Sequence, residues 1–485
     1  MDVETASYDF ENDSELDTES SLSDDEDATL LTSHINSGYE AIVQSSGHHN
    51  RKGGILSSVF TLVSTMIGGG LLSLPFAYEQ GGFAVGSVVL VFVLAASTYG
   101  GFLIINSKKY CSGRVKNIED VAKVAFGKKG QLVAQILLII LLYLCTVAYF
   151  ILITDQMEPI LIFAVGPGTV WSKKLTLLSF VLAVVFPISL LKNLSALKYT
   201  SSLSVICGVL LCCCVVYRSV KSDLGGPIYD QGNPVKWHPL SVRELLTCIS
   251  IAELTFSCHF NILPMHSELR NQTRKNKRLI LFLAMGITYV MNFIISFFGY
   301  FQFRRYTDQD ITKNYRSDDV VVTCGRAALC LLLILSYPLL VVPCRATLNK
   351  MFWHNDRSPS KFALLISNER LNGPNKFVWF IETVVLVGTS YLLAYLVPQV
   401  NMVWGFVGSV GCTTLIYILP PAFYLRVRHH PARADIKKIS AVILLISGLF
   451  MLVAGLYQSI LNIISPLPQS LPYEDITINT NFTLA

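Results

Sequence analysis

The sequence predicts an all-α membrane protein of eleven transmembrane helices, and three observations carry that expectation. Of its 485 residues, 52% are hydrophobic and only 15% charged, with a mean hydropathy of +0.50, far from the composition of soluble domains. Runs of about 20 apolar residues, the length that crosses a hydrocarbon core, can be placed eleven times along the chain. Two of these runs, the first and the sixth, are interrupted by residues that break helices.

The runs fall at 55–79, 83–106, 131–154, 174–192, 196–217, 244–265, 279–302, 320–344, 376–397, 401–424 and 438–461. An odd number of spans puts the two termini on opposite sides, so the basic residues test the assignment. With the N-terminus cytosolic, 27 Lys and Arg lie in or beside inside segments and 10 in outside ones, Arg326 falling within a span. That asymmetry obeys the positive-inside rule. The segment 107–130 carries Ile118, Val121, Ala122 and Ala125 on one helical face, which predicts a short interfacial helix.

The expected organisation is an acidic cytosolic tail over 1–50, a transmembrane domain over 51–461 and an extracytosolic tail over 462–485. Residues 1–50 hold 13 Asp and Glu with no Lys or Arg. The net charge of +5 therefore divides into −13 for the tail and +18 for the remainder. So polar a tail cannot bury enough apolar surface to offset its ordering entropy, and it is expected to be disordered. The basic excess sits in short loops between apolar runs, which speaks for membrane topology and against nucleic acid.

No cleavable leader is visible in the acidic N-terminal stretch. The twelve cysteines fall mostly within apolar runs, without CxxC or Cys/His spacing. Free thiols at lipid depth are expected. No nucleophile and base constellation and no HExxH motif appears, so an enzyme is not expected.

The first run contains "TMIGGGLLSLP", Thr65 to Pro75. Each glycine costs a helix about 1 kcal/mol relative to alanine, and Pro75 lacks a backbone donor. In a bilayer such a break persists only where it lines a cavity or is buried in protein. Close helix packing of the GxxxG type is the alternative reading of Gly68 to Gly70. The sixth run reads "IAELTFSCHFNILPMHSEL", in which Cys258, His259 and Asn261 interrupt apolar residues and Pro264 follows.

Paired breaks five spans apart point to an inverted-repeat transporter with its substrate site at the midplane. Broken helices expose amides at one half-helix N-terminus and carbonyls at another's C-terminus, two poles that a zwitterion bridges. Amino acids fit that description.

These residues resemble the amino acid/auxin permease family, in particular its sodium-coupled neutral amino acid transporter branch and its vacuolar and lysosomal relatives. The likeness covers about residues 52–461 and rests on "IGGGLLSLPFAYEQGG", "FSCHFNILPMHSEL", "LSYPLLVVPCR" and "GSVGCTTLIYILPPAFYLR". It implies a LeuT-like fold, with spans 1–5 and 6–10 as a 5+5 inverted repeat and one helix added. It also implies a substrate carboxylate near Gly68, Gly69 and Gly70. The amine would lie near the unwound carbonyls from Phe256 through Cys258 to His259, with Phe256 and Phe260 as a wall for the side chain.

For cation coupling the resemblance implies carbonyls of the first helix and the hydroxyl of Ser336, giving a sodium site with Ser64 and Thr65. The branch commonly carries Asn where this chain has Ser64. Protons compete for that role, because Glu253, Glu382 and His259 are ionisable at membrane depth, and His259 belongs to a residue type that titrates near neutrality. His259 has a second reading, as a neutral ring bonded to freed backbone groups. Arg326 is expected to salt-bridge or snorkel.

In the tail, Glu26, Leu30 and Leu31 of "EDATLL" have the spacing of an acidic dileucine signal read by clathrin adaptor proteins, which implies an endosomal, lysosomal or vacuolar membrane, with the plasma membrane as the alternative. Ser20, Ser21 and Ser23 stand beside acids as phosphorylation candidates. The sequon at Asn481 falls on the extracytosolic side, whereas Asn193 and Asn271 fall on the cytosolic side. The sequence thus leads to a secondary active transporter of neutral amino acids, coupled to sodium or protons and requiring no cofactor. An amino-acid sensor signalling through its N-terminal tail is the alternative.

Overall fold

The computed structural model describes residues 53–111, 115–166, 174–190, 198–221, 234–316, 318–353, 376–397, 400–428 and 436–465. Everything in it is helical apart from short connections and one isolated bridge between Gly53 and Leu269. Nine helices among the described residues are long and apolar enough to cross a membrane, or ten when the bent pair Ile55–Met66 (span 1a) and Gly69–Gly81 (span 1b) counts as one.

The expected eleventh, placed by sequence at 174–192, is the apolar helix Lys174–Ser189 (span 4) of 16 residues. At 1.5 Å per residue it rises about 24 Å, short of a hydrocarbon core of about 30 Å. The count of eleven is therefore reached only with a short fourth helix.

The other elements are span 2 (Phe83–Tyr110), span 3 (Ile118–Val165), span 5 (Lys198–Val220) and span 7 (Arg274–Phe303). Span 6 divides into 6a (Val242–Thr255) and 6b (His259–Glu268). Span 8 runs through Val320–Ser336 and Pro338–Trp353, followed by span 9 (Lys376–Leu396) and span 11 (Ile436–Ile464). Span 10 begins as Val400–Phe406, winds as π-helix over Val407–Cys412 and Thr414–Ile418, and ends as Leu419–Val427.

A helix is present over the segment expected to hold a short interfacial one, as the start of span 3. Ile118, Val121, Ala122 and Ala125 are buried, and Gly127, at φ 71°, turns the chain from this segment into the span proper. Lys350 holds its first turn through Asp120 (2.8 Å) and Glu119 (3.2 Å).

Spans 1 and 6 lie antiparallel with both ends tied by backbone hydrogen bonds. Where span 1 begins and span 6 ends, Gly53 donates to the Glu268 carbonyl (3.2 Å) and accepts from Arg270 (3.1 Å). At the opposite ends, Phe83 donates to the Lys236 carbonyl (2.7 Å) and Ala84 to that of Trp237 (3.1 Å). Gly82 makes this second junction possible, since it sits at φ 72° with His238 too close for any Cβ. Span 1b therefore packs along 6a and span 1a along 6b, which brings the two breaks together.

All twelve cysteines are free, as their placement in apolar runs predicts. Arg326 neither snorkels nor forms the expected ion pair. It is buried, and its Nη2 donates to the carbonyls of Thr312 (2.9 Å) and Tyr315 (3.1 Å).

Candidate functional site at the paired breaks

Span 1 loses its helical path over two residues, Ile67 (φ −78°, ψ 101°) and Gly68 (φ −150°, ψ −142°), and resumes at Gly69 with a bend of 56°. The first amides of span 1b have no intrahelical acceptor, and they form the positive end of that half-helix. The three glycines are approached from three directions. A Cβ on Gly68 would collide with the hydroxyl of Tyr149 in span 3, and one on Gly69 with Leu152 and the Trp404 ring of span 10. One on Gly70 would sit 2.8 Å from Cγ2 of Thr255, the last residue of 6a. Tyr149 and Trp404 meet edge to face at 6.4 Å.

Span 6 breaks at Phe256 and Ser257, and 6b starts from Cys258. Phe256, Cys258, His259 and Phe260 are all buried. Ser97 of span 2 holds this break twice. Its hydroxyl donates to the Phe256 carbonyl (2.8 Å), and its own carbonyl lies 3.0 Å from His259 Nε2. A carbonyl can only accept, so Nε2 carries the proton of the neutral ring, while Nδ1 is buried without a partner. His259 is thus turned towards span 2, away from the glycines. Sequence reasoning found the residue, but not its direction.

The residues proposed for a cation separate into two groups. The Ser64 and Ser336 hydroxyls lie 3.0 Å apart, and Ser204 of span 5 completes a buried triangle, 3.0 Å from Ser64 and 2.8 Å from Ser336. Thr65 is not part of it. Its hydroxyl donates to the Thr61 carbonyl (2.8 Å) and accepts from Asn261 Nδ2 (3.1 Å), so it joins span 1a to 6b.

Of the ionisable groups, Glu382 accepts from Asn349 (2.6 Å) of span 8, and Glu253 faces Thr413 of span 10. Neither carboxyl turns to the glycines. An apolar cavity of about 240 Å³ opens between spans 3, 10 and 11, lined by Leu138, Leu141, Val410, Thr414 and Leu456, and no residue of either break lines it.

Sequence reasoning missed Tyr149, Trp404 and Ser204. Tyr149 and Trp404 come from runs whose aromatic residues read as ordinary packing. Ser204 stands in a cluster of hydroxyls, Ser201, Ser202 and Ser204, inside an apolar run, and that polarity was the available signal. Glu26, Leu30, Leu31 and Asn481 lie outside the described residues.

Two antiparallel broken helices, packed so that their breaks meet within a bundle of further spans, define a LeuT-fold carrier. Solved structures bear this out at the level of fold. MhsT in complex with L-phenylalanine superposes with a TM-score of 0.55 at 14% identity, covering 84% of this chain and 99% of that one. Mhp1, a nucleobase-cation-symport-1 family transporter with bromovinylhydantoin bound, gives 0.53 at 13% identity, covering 85% and 92%.

The chain belongs to the transmembrane amino acid transporter protein family, which matches residues 51–461. It is similar to sodium-coupled neutral amino acid symporter 2 of Danio rerio, with 25% identity over 417 residues, 80% of this chain and 78% of that protein. It is also similar to vacuolar amino acid transporter 5 of Schizosaccharomyces pombe, with 27% identity over 388 residues, 79% and 87% respectively. It is a multi-pass membrane protein of a transporter family, not an enzyme.

Proposed function

We propose that the chain is a secondary active transporter of neutral amino acids, coupled to a cation and working by alternating access. The observation that carries this reading is the meeting of the two breaks, Gly70 against Thr255. The amides that open span 1b receive the substrate carboxylate, and the carbonyls that end spans 1a and 6a receive its ammonium group. His259 and Glu253, the basic and the acidic side chain closest in sequence to the second break, are both turned to other spans. A charged substrate side chain would therefore find no counter-charge from them, which favours a neutral one. Phe256, Phe260, Tyr149 and Trp404 supply apolar surface for it.

Sodium is the proposed co-substrate. Ser64, Ser204 and Ser336 present three hard, neutral oxygens beside the end of span 1a, the donor type that suits a small hard cation. The name of the Danio rerio relative, a sodium-coupled neutral amino acid symporter, supports this choice. The basic asymmetry of the loops supports a cytosolic N-terminus. The dileucine at Leu30 and Leu31 supports adaptor recognition and an endosomal, lysosomal or vacuolar membrane, and the Schizosaccharomyces pombe relative is named for the vacuole.

The test is uptake of radiolabelled neutral amino acids into proteoliposomes, with sodium and pH gradients imposed separately. Uptake that needs sodium supports the full reading. Uptake that persists without sodium and collapses with the proton gradient would move the coupling to protons. No amino-acid uptake under any gradient would overturn the reading.

A further inference from the structure

Glu253 lies in the last turn of span 6a, buried, on the side that meets span 10. Its Oε2 is hydrogen-bonded to the Thr413 hydroxyl, and its Oε1 is buried without a partner. Among the described residues no Lys, Arg or His forms an ion pair with it. The titratable groups that face it from span 10 are Cys412 and Tyr417. Span 1b, which also packs on 6a, carries Glu79. That carboxylate belongs to the far end of 6a, among Lys236 and Glu244, which pair at 2.9 Å. An ionised carboxylate held by a single hydroxyl in so apolar a place is costly, and a proton removes that cost.

Span 10 is π-helical at this contact, and the register between the two spans explains why. Gly408 is pressed on the Ser250 carbonyl, 2.5 Å from where a Cβ would sit, and Thr413 meets Glu253. Three residues along 6a are thus matched by five along span 10, the spacing of a π-helical hydrogen bond. The Thr413 hydroxyl also reaches the Gly408 carbonyl five residues back, at 3.3 Å. A hydroxyl has one proton, and here it has two acceptors.

We propose that Glu253 is a proton-binding positioning residue that sets the direction of the Thr413 hydroxyl and with it the side-chain hydrogen bond that reinforces the π turn of span 10 against span 6a, a turn whose backbone closure is the Thr413 N–H on the same Gly408 carbonyl. With the carboxyl protonated, its O–H donates to Thr413 Oγ1, and Thr413 donates onward to the Gly408 carbonyl. When the proton leaves to water, the carboxylate takes the Thr413 proton as its own hydrogen bond, and the Gly408 carbonyl loses its side-chain donor. One proton is exchanged with solvent and no other bond is made or broken. Span 10 carries Trp404 against Gly69, so the relay ties the wall of the first break to a proton site on the second broken helix. Its bearing on transport rests on the function proposed above, but the proton site itself does not.

The test therefore uses no substrate. The full chain is reconstituted in liposomes, and two quantities are followed from acid to alkaline pH: the infrared carbonyl band of a protonated carboxylic acid, and amide hydrogen exchange over 407–418. The wild type should lose a carboxylic acid band as pH rises, and exchange over 407–418 should quicken roughly tenfold as the turn loosens. Glu253→Gln, whose amide is a permanent donor, should lack that band and keep the segment protected at every pH. Thr413→Val should retain the band but exchange fast throughout, and Thr413→Ser should restore the wild-type response. A wild-type minus Glu253→Gln difference spectrum with no carboxylic acid band, in which the acid intensity comes wholly from other carboxyls, would overturn the proposal, as would wild-type pH dependence of exchange in Thr413→Val. Should Glu253→Gln not fold, the Thr413 pair alone decides.

Discussion

The two breaks face each other but are made in opposite ways. The first is built by removing side chains. Gly68, Gly69 and Gly70 let Tyr149, Leu152, Trp404 and Thr255 approach the backbone itself, and no side chain of the break holds it open. The second is built from side chains and hydrogen bonds, with Ser97 clamping the Phe256 carbonyl and His259 from span 2. The first break is therefore intolerant of added volume, whereas the second is intolerant of lost donors.

Added volume should give the largest effect. Gly69→Leu places its side chain where Leu152 and Trp404 already sit and where the substrate carboxylate is proposed to bind, so uptake should be abolished. Amino-acid uptake by reconstituted protein, normalised to the amount that elutes as a folded species, checks this. Unchanged uptake kinetics would show that the glycines are a packing seam alone.

Loss of a donor should cost less. Ser97→Ala leaves the Phe256 carbonyl without its hydroxyl, a penalty of about 1–3 kcal/mol for a buried acceptor, while the Ser97 backbone still receives His259. A rise of about tenfold in the substrate concentration for half-maximal uptake is expected. If Gly69→Ala and Ser97→Ala damaged uptake equally, the distinction between a steric and a hydrogen-bonded break would fail.

Much of this was legible in the sequence, for a physical reason. A triple glycine and a run of Cys, His and Asn violate the rules of a lipid-embedded helix, so they announce themselves. The antiparallel pairing of spans 1 and 6 follows from their spacing. What was not legible is direction and partnership. His259 could be found as a polar residue in an apolar run, but only packing shows that it faces Ser97. Thr65 and Ser64 are neighbours in sequence and lie about 100° apart around a helix, so one hydroxyl meets Asn261 and the other meets Ser336. The π-helical stretch of span 10 had no sequence signal, because its register is imposed by Gly408 on Ser250 and Thr413 on Glu253. Span 4 appeared long enough from its apolar residues alone, yet its helix ends at Ser189.

The cation site beside the first break offers a smaller effect. Ser336→Ala removes one of three neutral oxygens, and a loss of roughly 1 kcal/mol corresponds to about a fivefold rise in the sodium needed for half-maximal uptake. Ser204→Ala should match it, since the two hydroxyls are equivalent corners of one triangle. Sodium titrations of uptake at fixed pH measure both. An effect of Ser336→Ala without any effect of Ser204→Ala would show that span 5 packs beside the site without contributing to it.

The smallest effect is expected at the residue whose type most invites a functional role. His259 donates from Nε2 to the Ser97 carbonyl, and its other nitrogen meets no group. If it only completes the clamp on the second break, His259→Gln should serve nearly as well, because an amide N–H can reach the same carbonyl and leaves one acceptor facing the same apolar space. Uptake should then stay within about twofold of the wild type, with the same dependence on pH. His259→Phe, which fills the space but donates nothing, should fall to the level of Ser97→Ala, since each variant removes one strand of the same clamp. A pH profile that flattens in His259→Gln would show that the ring titrates during the cycle, and the second break would then be held by charge as well as by hydrogen bonds.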